Sequence, residues 1–365
     1  MPRAKAAPKR SRAAGRPLTA GLLRALPKVD IHCHLDGSLR PRTILELAKE
    51  RRIKLPADNV ADLTPFVQVS PTCRSLKEFI DVFDVFLPVL HDASAIERVA
   101  YELCEDCAGD NIRHVEARFA PALNCGPSFS TDEVIEAAAK GLRRGLKDFG
   151  VSSGIIVCLI RTHGPAENRQ AFETAKKFYR PDNGLVRPGV VGIDLAGDEA
   201  QFPTMRFAEY FEEARKLGIP ATCHAGETVG TANLRAALDL QVRRIGHGTH
   251  LFDDAGLVSE VVRRQVPLEI GLTSNLLTKS VESLEEHPVR RCREAGVPFS
   301  LNTDDRGVMG IDLTHEFEAA HKLGFSVEDL AKISIGAVDH LFLPPQDRAA
   351  LRRRFEAEIA KLLPS

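Results

Sequence analysis

From about residue 28 onward one pattern recurs along the chain. Short runs rich in Val, Ile and Leu alternate with longer stretches of helical periodicity. Strands are expected near 28–35, 113–120, 154–160, 190–196, 220–225, 243–247, 267–273 and 298–303. Helices are expected between them at 131–149, 165–179, 205–217, 230–240 and 254–265. Ser130 and Thr131 before Asp132-Glu133, and Asp253 before Asp254, supply cap residues, while Gly150, Gly218 and Gly296 follow helical runs as stops. About eight strand–helix units with no Gly/Ser-rich linker predict an α/β chain closed into a (β/α)8 TIM barrel. Residues 18–365 would form one such domain. An open doubly wound sheet is the alternative, but no Gly-rich phosphate loop follows the first strand. The stretch 41–110 is too long for a simple crossover and reads as helical throughout, with 75–86 amphipathic. Extra helices inserted after the first strand would lie beside the barrel mouth.

Length and composition narrow the function. A chain of 365 residues, 44% hydrophobic and 27% charged, has the balance of a soluble globular protein with a large core. Its formal net charge of −1 conceals six basic and no acidic residues in 1–16, so the remainder carries −7. No basic groove is implied there, which argues against nucleic acid as a partner. The tail, residues 1–17, is Ala-, Arg-, Lys- and Pro-rich and is expected to be disordered. Its prolines and lack of an apolar stretch oppose a targeting helix. No apolar run reaches membrane-spanning length. Eight cysteines scattered through strand-like and helical runs suit free thiols in a reducing, cytoplasmic compartment.

The polar residues at the strand ends carry the chemistry. His32 and His34, in KVDIHCHLDGS, alternate along the first strand, so both imidazoles face one point. Asp36-Gly37-Ser38 reads as a turn leading to a helix near Pro41. HAGE puts His224 at the end of strand five, with Glu227 three residues on. GHG puts His247 at the end of strand six, and NTDD puts Asp304 and Asp305 at the end of strand eight. C-terminal strand ends are where barrel enzymes assemble their sites. Singly, His247 reads equally as a turn residue between glycines, and Asp304-Asp305 as a helix cap. Seven such groups on one rim are not explained by packing. Three imidazoles and a carboxylate suit zinc, whereas calcium would take more oxygens. Glu227 and His247 then remain as acid–base groups.

Other motifs fail on spacing. HEFEAAH (315–321) contains His-Glu, but Ala stands at 319 where the two-histidine helical zinc motif needs its second histidine. Cys104 and Cys107 lie in an expected helix, and His114-Val115-Glu116 follows them in the reverse order to the cytidine-deaminase pattern. No G-x-S-x-G elbow is present.

In its motifs the chain resembles the adenosine deaminases of the metal-dependent amidohydrolase superfamily. The matching runs are PKVDIHCHLDGS (27–38), GIDLAGDE (192–199), HAGE (224–227), RIGHG (244–248), TSN (273–275) and SLNTDD (300–305). They keep order and spacing over about residues 26–345. The resemblance implies one catalytic zinc per chain, held by His32, His34, His224 and Asp304. It implies that Glu227 protonates the purine ring nitrogen beside the attacked carbon and that His247 orients and helps deprotonate the attacking water. His34 would also lie against the substrate, Asp305 would hydrogen-bond the five-membered ring, and Gly197 would contact the pyrimidine ring through its backbone. Asp36 resembles the residue that binds the ribose 5′-hydroxyl, with helix capping as the simpler role. Leu76, Phe79, Ile80 and Phe83 resemble an apolar lid helix.

Hydrolytic deamination of adenosine and 2′-deoxyadenosine, a step of purine salvage, is the activity so implied. Relatives acting on adenine, aminodeoxyfutalosine or a methylated adenine nucleotide are the near rivals, and Asp36 favours a nucleoside. A non-catalytic purine-binding relative would not need Glu227. One departure from the pattern stands out: many members follow the paired aspartates with Pro, where this chain has Arg306-Gly307-Val308-Met309.

Overall fold

The computed structural model describes residues 19–364 apart from positions 127, 184 and 229, so the expected disordered tail lies outside the described residues. Eight parallel strands follow one another: β1 (Lys28–His34), β2 (Ile112–Phe119), β3 (Ser152–Ile160), β4 (Val190–Ala196), β5 (His224–Ala225), β6 (Ile245–His247), β7 (Leu268–Ile270) and β8 (Phe299–Leu301). They pair in order as β1 to β4 and β5 to β8. Two short seams join the halves. Ile193 of β4 donates its N–H to Pro220 and accepts one from Thr222, both at 3.0 Å. His34 of β1 donates to the Asp304 carbonyl at 2.7 Å, and Asp304 donates back to that of His32 at 2.8 Å. The second seam closes the cylinder and places Asp304 beside both histidines of β1. The chain is a TIM barrel.

Local chemistry explains why the helices lie where they do. The helix Thr131–Phe149 starts with a reciprocal capping box between Ser130 and Glu133 and stops at Gly150, whose φ of +71° suits glycine. Removing such a cap costs about 1 kcal/mol. Its small face packs on the helix Ala93–Gly109: a Cβ on Gly141 would sit 2.2 Å from the Glu97 carbonyl oxygen. All eight cysteines are free thiols and seven are buried, as hydrophobic filler would be. No helix among the described residues is long and apolar enough to cross a membrane.

Three sequence expectations need correction. Residues 41–110 are not helical throughout: Pro41–Arg51, Val60–Val67, Leu76–Asp81 and Ala93–Gly109 are α-helices, and 75–86 breaks into a single α-turn pair followed by the 3-10 turn Val82–Val85. The expected strand 267–273 ends at Ile270. Gly271 starts the helix Leu272–Leu277, whose first N–H groups are taken by the buried Glu316 carboxylate, at 2.6 Å for Leu272. The helix after β6 is capped by Asp254, not Asp253, with Asp254 accepting from Gly256 and Leu257. The Arg306–Met309 departure forms a short helix closely packed on the turn after β1, with Gly307 and Val308 donating to the Gly37 carbonyl.

Candidate active site

A cavity of about 290 Å³ opens at the C-terminal ends of the strands. Its floor is made by His34, His224, Glu227, His247, Asp304 and Asp305, and its side by Leu76, Phe79, Ile80 and Phe83. The residues singled out at four strand ends are therefore brought to one place. Two are held in backbone conformations that ordinary side chains avoid: His247 has φ +64° and Asp304 φ +59°. Such strain persists only where the surroundings impose it.

The donors converge tightly. His32 Nε2 lies 3.1 Å from His224 Nε2 and 3.1 Å from Asp304 Oδ1. His34 Nε2 lies 3.3 Å from His224 Nε2 and 3.3 Å from Asp304 Oδ1. Ligand atoms of His32, His224, His247 and Asp304 all fall within 4.8 Å of one another. Five groups thus crowd one point, with His34 and His247 both adjacent to the shared trio.

Buried carboxylates orient two of these rings from behind. His32 Nδ1 is 2.9 Å from Glu269 Oε2. His224 Nδ1 is 2.9 Å from Asp194 Oδ2, though off the ideal hydrogen-bond line. Arg118, wholly buried, joins the two carboxylates, with Nη1 2.9 Å from Asp194 and Nη2 2.8 Å from Glu269. Burial alone would raise both acids. Their partners prevail and hold both well below the usual carboxylate range, the His224 ring and Arg118 acting on Asp194, Arg118 and Arg244 on Glu269. With their Nδ1 protons directed at carboxylates, His32 and His224 turn Nε2 lone pairs toward each other. Burial lowers the pKa of His224 to about 3, keeping that lone pair free. The Nε2 atoms of His32, His34 and His224 and the Asp304 carboxylate oxygen, converging within 3.1–3.3 Å, can all be satisfied by one cation placed between them. The donor set fits a borderline divalent metal.

The remaining groups are equally distinctive. Burial raises the Glu227 carboxyl above its ordinary range, and nearby Asp304 adds to it. Its backbone is clamped by Glu199, whose carboxylate accepts the N–H groups of Gly226, Glu227 and Thr228 at 3.0, 2.7 and 2.7 Å. Glu227 Oε2 lies 3.7 Å from His247 Nε2. Asp305 is buried, and burial together with Asp304 and Asp36 keeps its carboxyl protonated far above the usual range. Its Oδ1 has no hydrogen-bond partner among the described residues. Gly37 makes room for it, since a Cβ there would lie 1.7 Å from that oxygen. Neither aspartate serves as a cap: the helix Arg306–Met309 has no side-chain cap bond from Asp305, and the helix Pro41–Arg51 starts at Arg40, not Asp36. Asp36, 5% exposed, lines the cavity instead. Gly197 also lines it, at φ +98°.

Comparison with known proteins agrees with this geometry. The family model described as adenosine deaminase matches residues 27–358. The chain belongs to the adenosine deaminase family. It is similar to the adenosine deaminase of Klebsiella pneumoniae, 39% identical over 333 residues, covering 90% of this chain and 98% of that one. Among solved structures it resembles an amidohydrolase from Burkholderia ambifaria with bound zinc, at TM-score 0.83 and 25% identity, covering 96% of each chain. It also resembles the N6-methyl-AMP deaminase of Arabidopsis thaliana, at TM-score 0.78 and 27% identity, covering 93% of this chain and 98% of that one.

Within this adenosine deaminase fold, the sequence reading missed the residues behind the site. Asp194, Glu269, Arg118, Glu199 and Asn275 each contact a rim residue or one of its carboxylates, His287 contacts Asn275, and none of the six carries a role in the sequence analysis. A signal existed for two of them. Asp194 and Glu269 interrupt otherwise apolar strand runs, and a charge buried in a barrel strand needs a partner.

Proposed function

We propose that the protein is a metal-dependent hydrolase that converts adenosine and 2′-deoxyadenosine to the corresponding inosines and ammonia, with one zinc per chain. Family membership supports the activity, and the facing lone pairs of His32 and His224 support the metal. His32, His224 and Asp304 are three of its ligands. His34 is the fourth. His247 is not, because its Nδ1 accepts a hydrogen bond from the Asn275 amide at 3.0 Å, so the neutral ring carries its proton on Nε2 and has no lone pair there to give. Bound at this point, zinc supplies a Lewis acid that makes water acidic near neutral pH.

The chain's own groups do the rest. Water adds its oxygen to the carbon bearing the amino group and gives up both protons, one replacing the proton that Glu227 delivers and one passing to the amino group, so that the carbon–nitrogen bond breaks to release ammonia. Glu227, whose carboxyl burial raises above its ordinary range, delivers a proton to the adjacent ring nitrogen. His247 Nε2–H donates to the attacking oxygen, so the ring orients that oxygen and does not take its proton, unlike the role that the family resemblance implies. Protonated Asp305 donates to a nitrogen of the five-membered ring, which uses its unpartnered position. Gly197 approaches the pyrimidine ring with its backbone, and Asp36 accepts from the ribose 5′-hydroxyl.

The choice of a nucleoside over a nucleotide rests on the cavity lining. It includes Asp36, Asp84 and Asp198 and no Lys or Arg among the described residues, so a 5′-phosphate would meet like charge and no counter-ion. Ammonia release from adenosine, 2′-deoxyadenosine, adenine, AMP and N6-methyl-AMP tests the assignment. The two nucleosides should be turned over well and the others poorly; faster turnover of AMP or adenine than of adenosine would overturn it.

A further inference from the structure

The orientation of His247 is set by groups that never face the cavity. His247, Asn275 and His287 are all buried, at 2%, 0% and 3% exposure. They form a chain of hydrogen bonds running away from the site. His247 Nδ1 lies 3.0 Å from Asn275 Nδ2, Asn275 Oδ1 lies 3.1 Å from His287 Nε2, and His287 Nδ1 lies 3.1 Å from the backbone nitrogen of Val289. Each ring nitrogen and each amide atom has two possible roles, but the far end of the chain has only one. A backbone N–H donates and never accepts.

That fixed end propagates. Val289 N–H makes His287 Nδ1 an acceptor, so the neutral ring of His287 carries its proton on Nε2. That proton needs an acceptor, which must be Asn275 Oδ1. The Asn275 amide is thereby pinned with Nδ2 toward His247, whose Nδ1 is an acceptor in turn. Burial lowers the pKa of His287 to about 3, with the neighbouring His247 acting in the same sense, so this end of the chain stays neutral. The amide orientation follows from the backbone donor and not from an arbitrary choice between O and N.

We propose that Asn275 and His287 are positioning residues that lock His247 as the tautomer protonated on Nε2, so that it presents a hydrogen-bond donor to the reacting oxygen and does not compete as a metal ligand. The inference rests on the reading of His247 as a group that faces the reacting atoms. It also accounts for the spacing of TSN and the histidine twelve residues beyond it. Asn275 stands on the helix Leu272–Leu277 at the end of β7, and His287 lies just before the helix Val289–Ala295. The two elements thus meet behind β6.

Asn275→Asp reverses the chain at its centre, because a carboxylate accepts from both neighbours and draws the proton of His247 to Nδ1. In zinc-loaded protein labelled with 15N-histidine, with the His247 signals assigned by their loss in His247→Gln, wild type should show Nδ1 unprotonated and Nε2 protonated. Asn275→Asp should show the reverse. Its kcat for adenosine should fall about 10²-fold, the usual loss when a donor aimed at developing charge is removed, with KM changed little. His287→Leu and His287→Gln provide a test that does not depend on Asn275→Asp folding. The leucine frees the amide to turn over and lowers kcat, while glutamine restores a donor to Asn275 Oδ1 and most of the activity. A wild-type His247 protonated on Nδ1 would overturn the inference. So would Asn275→Asp or His287→Leu with wild-type kcat while His247→Gln is impaired. Failure of the functional reading is separate: wild-type enzyme would then not deaminate adenosine, whatever the 15N signals show.

Discussion

The Nε2 atoms of His32 and His224 face each other at 3.1 Å in the barrel mouth, each ring backed by a buried carboxylate through Nδ1. With each ring neutral and protonated on Nδ1, the two lone pairs repel unless a cation lies between them. Purified protein should therefore hold about one zinc per chain by elemental analysis. A metal present at a thousand times its Kd adds about 4 kcal/mol of stability, so chelation should lower the melting temperature. His32→Ala and Asp304→Ala should lose metal and deamination together; an active preparation without a transition metal would exclude the assignment.

Glu227 touches no proposed ligand position and separates chemistry from metal binding. Glu227→Gln should keep zinc and fold while kcat falls by about 10²–10⁴. A loss below about tenfold would mean that another group supplies the proton.

The same residue sets a pH dependence. Burial raises the Glu227 pKa, so the free enzyme retains the required proton to higher pH than an exposed glutamate would. The acid function is present below that raised pKa and fades as pH rises through it. A plot of kcat/KM for adenosine against pH should show a basic limb that is missing from the residual activity of Glu227→Gln. Persistence of the limb in the variant would assign it elsewhere.

Asp36 lines the cavity without capping the following helix, which leaves its carboxylate for substrate. Asp36→Ala should lower kcat/KM for adenosine by about tenfold to a hundredfold, the worth of a hydrogen bond to a charged group. 5′-Deoxyadenosine, lacking the hydroxyl, should be much less affected. Equal losses on the two substrates would show that Asp36 only shapes the turn.

Arg118 holds Asp194 and Glu269 together beneath the histidines. Among the described residues, Arg118→Met takes the only arginine from buried Asp194 and leaves Glu269 with Arg244 alone, which should cost about 3–5 kcal/mol in urea unfolding. Zinc affinity should drop about 10–100-fold because the rings lose their backing, measured by competition with a chelator. Unchanged affinity would show that the carboxylates orient the rings unaided.

The sequence by itself determined the barrel and most of its rim. Alternating apolar and helical runs specify strands and helices through local periodicity, and the H-x-H spacing puts both histidines of β1 on one face because side chains alternate. The Ser130–Glu133 box and Gly150 mark one helix to the residue, since caps are made by neighbours in the chain. Local pattern misplaced the end of β7, where Leu272 is apolar enough to extend a strand but its N–H is claimed by Glu316, 44 residues away. The tertiary structure alone decided which groups stand behind the site. Arg118 and Glu269 are 151 residues apart, and His247 and Asn275 are 28 apart, so no spacing rule connects them. It also supplies the hydrogen bond on which the roles proposed for His34 and His247, alike as strand-end histidines, are distinguished. That difference depends on which nitrogen carries a proton, and only a neighbour brought close by folding sets it.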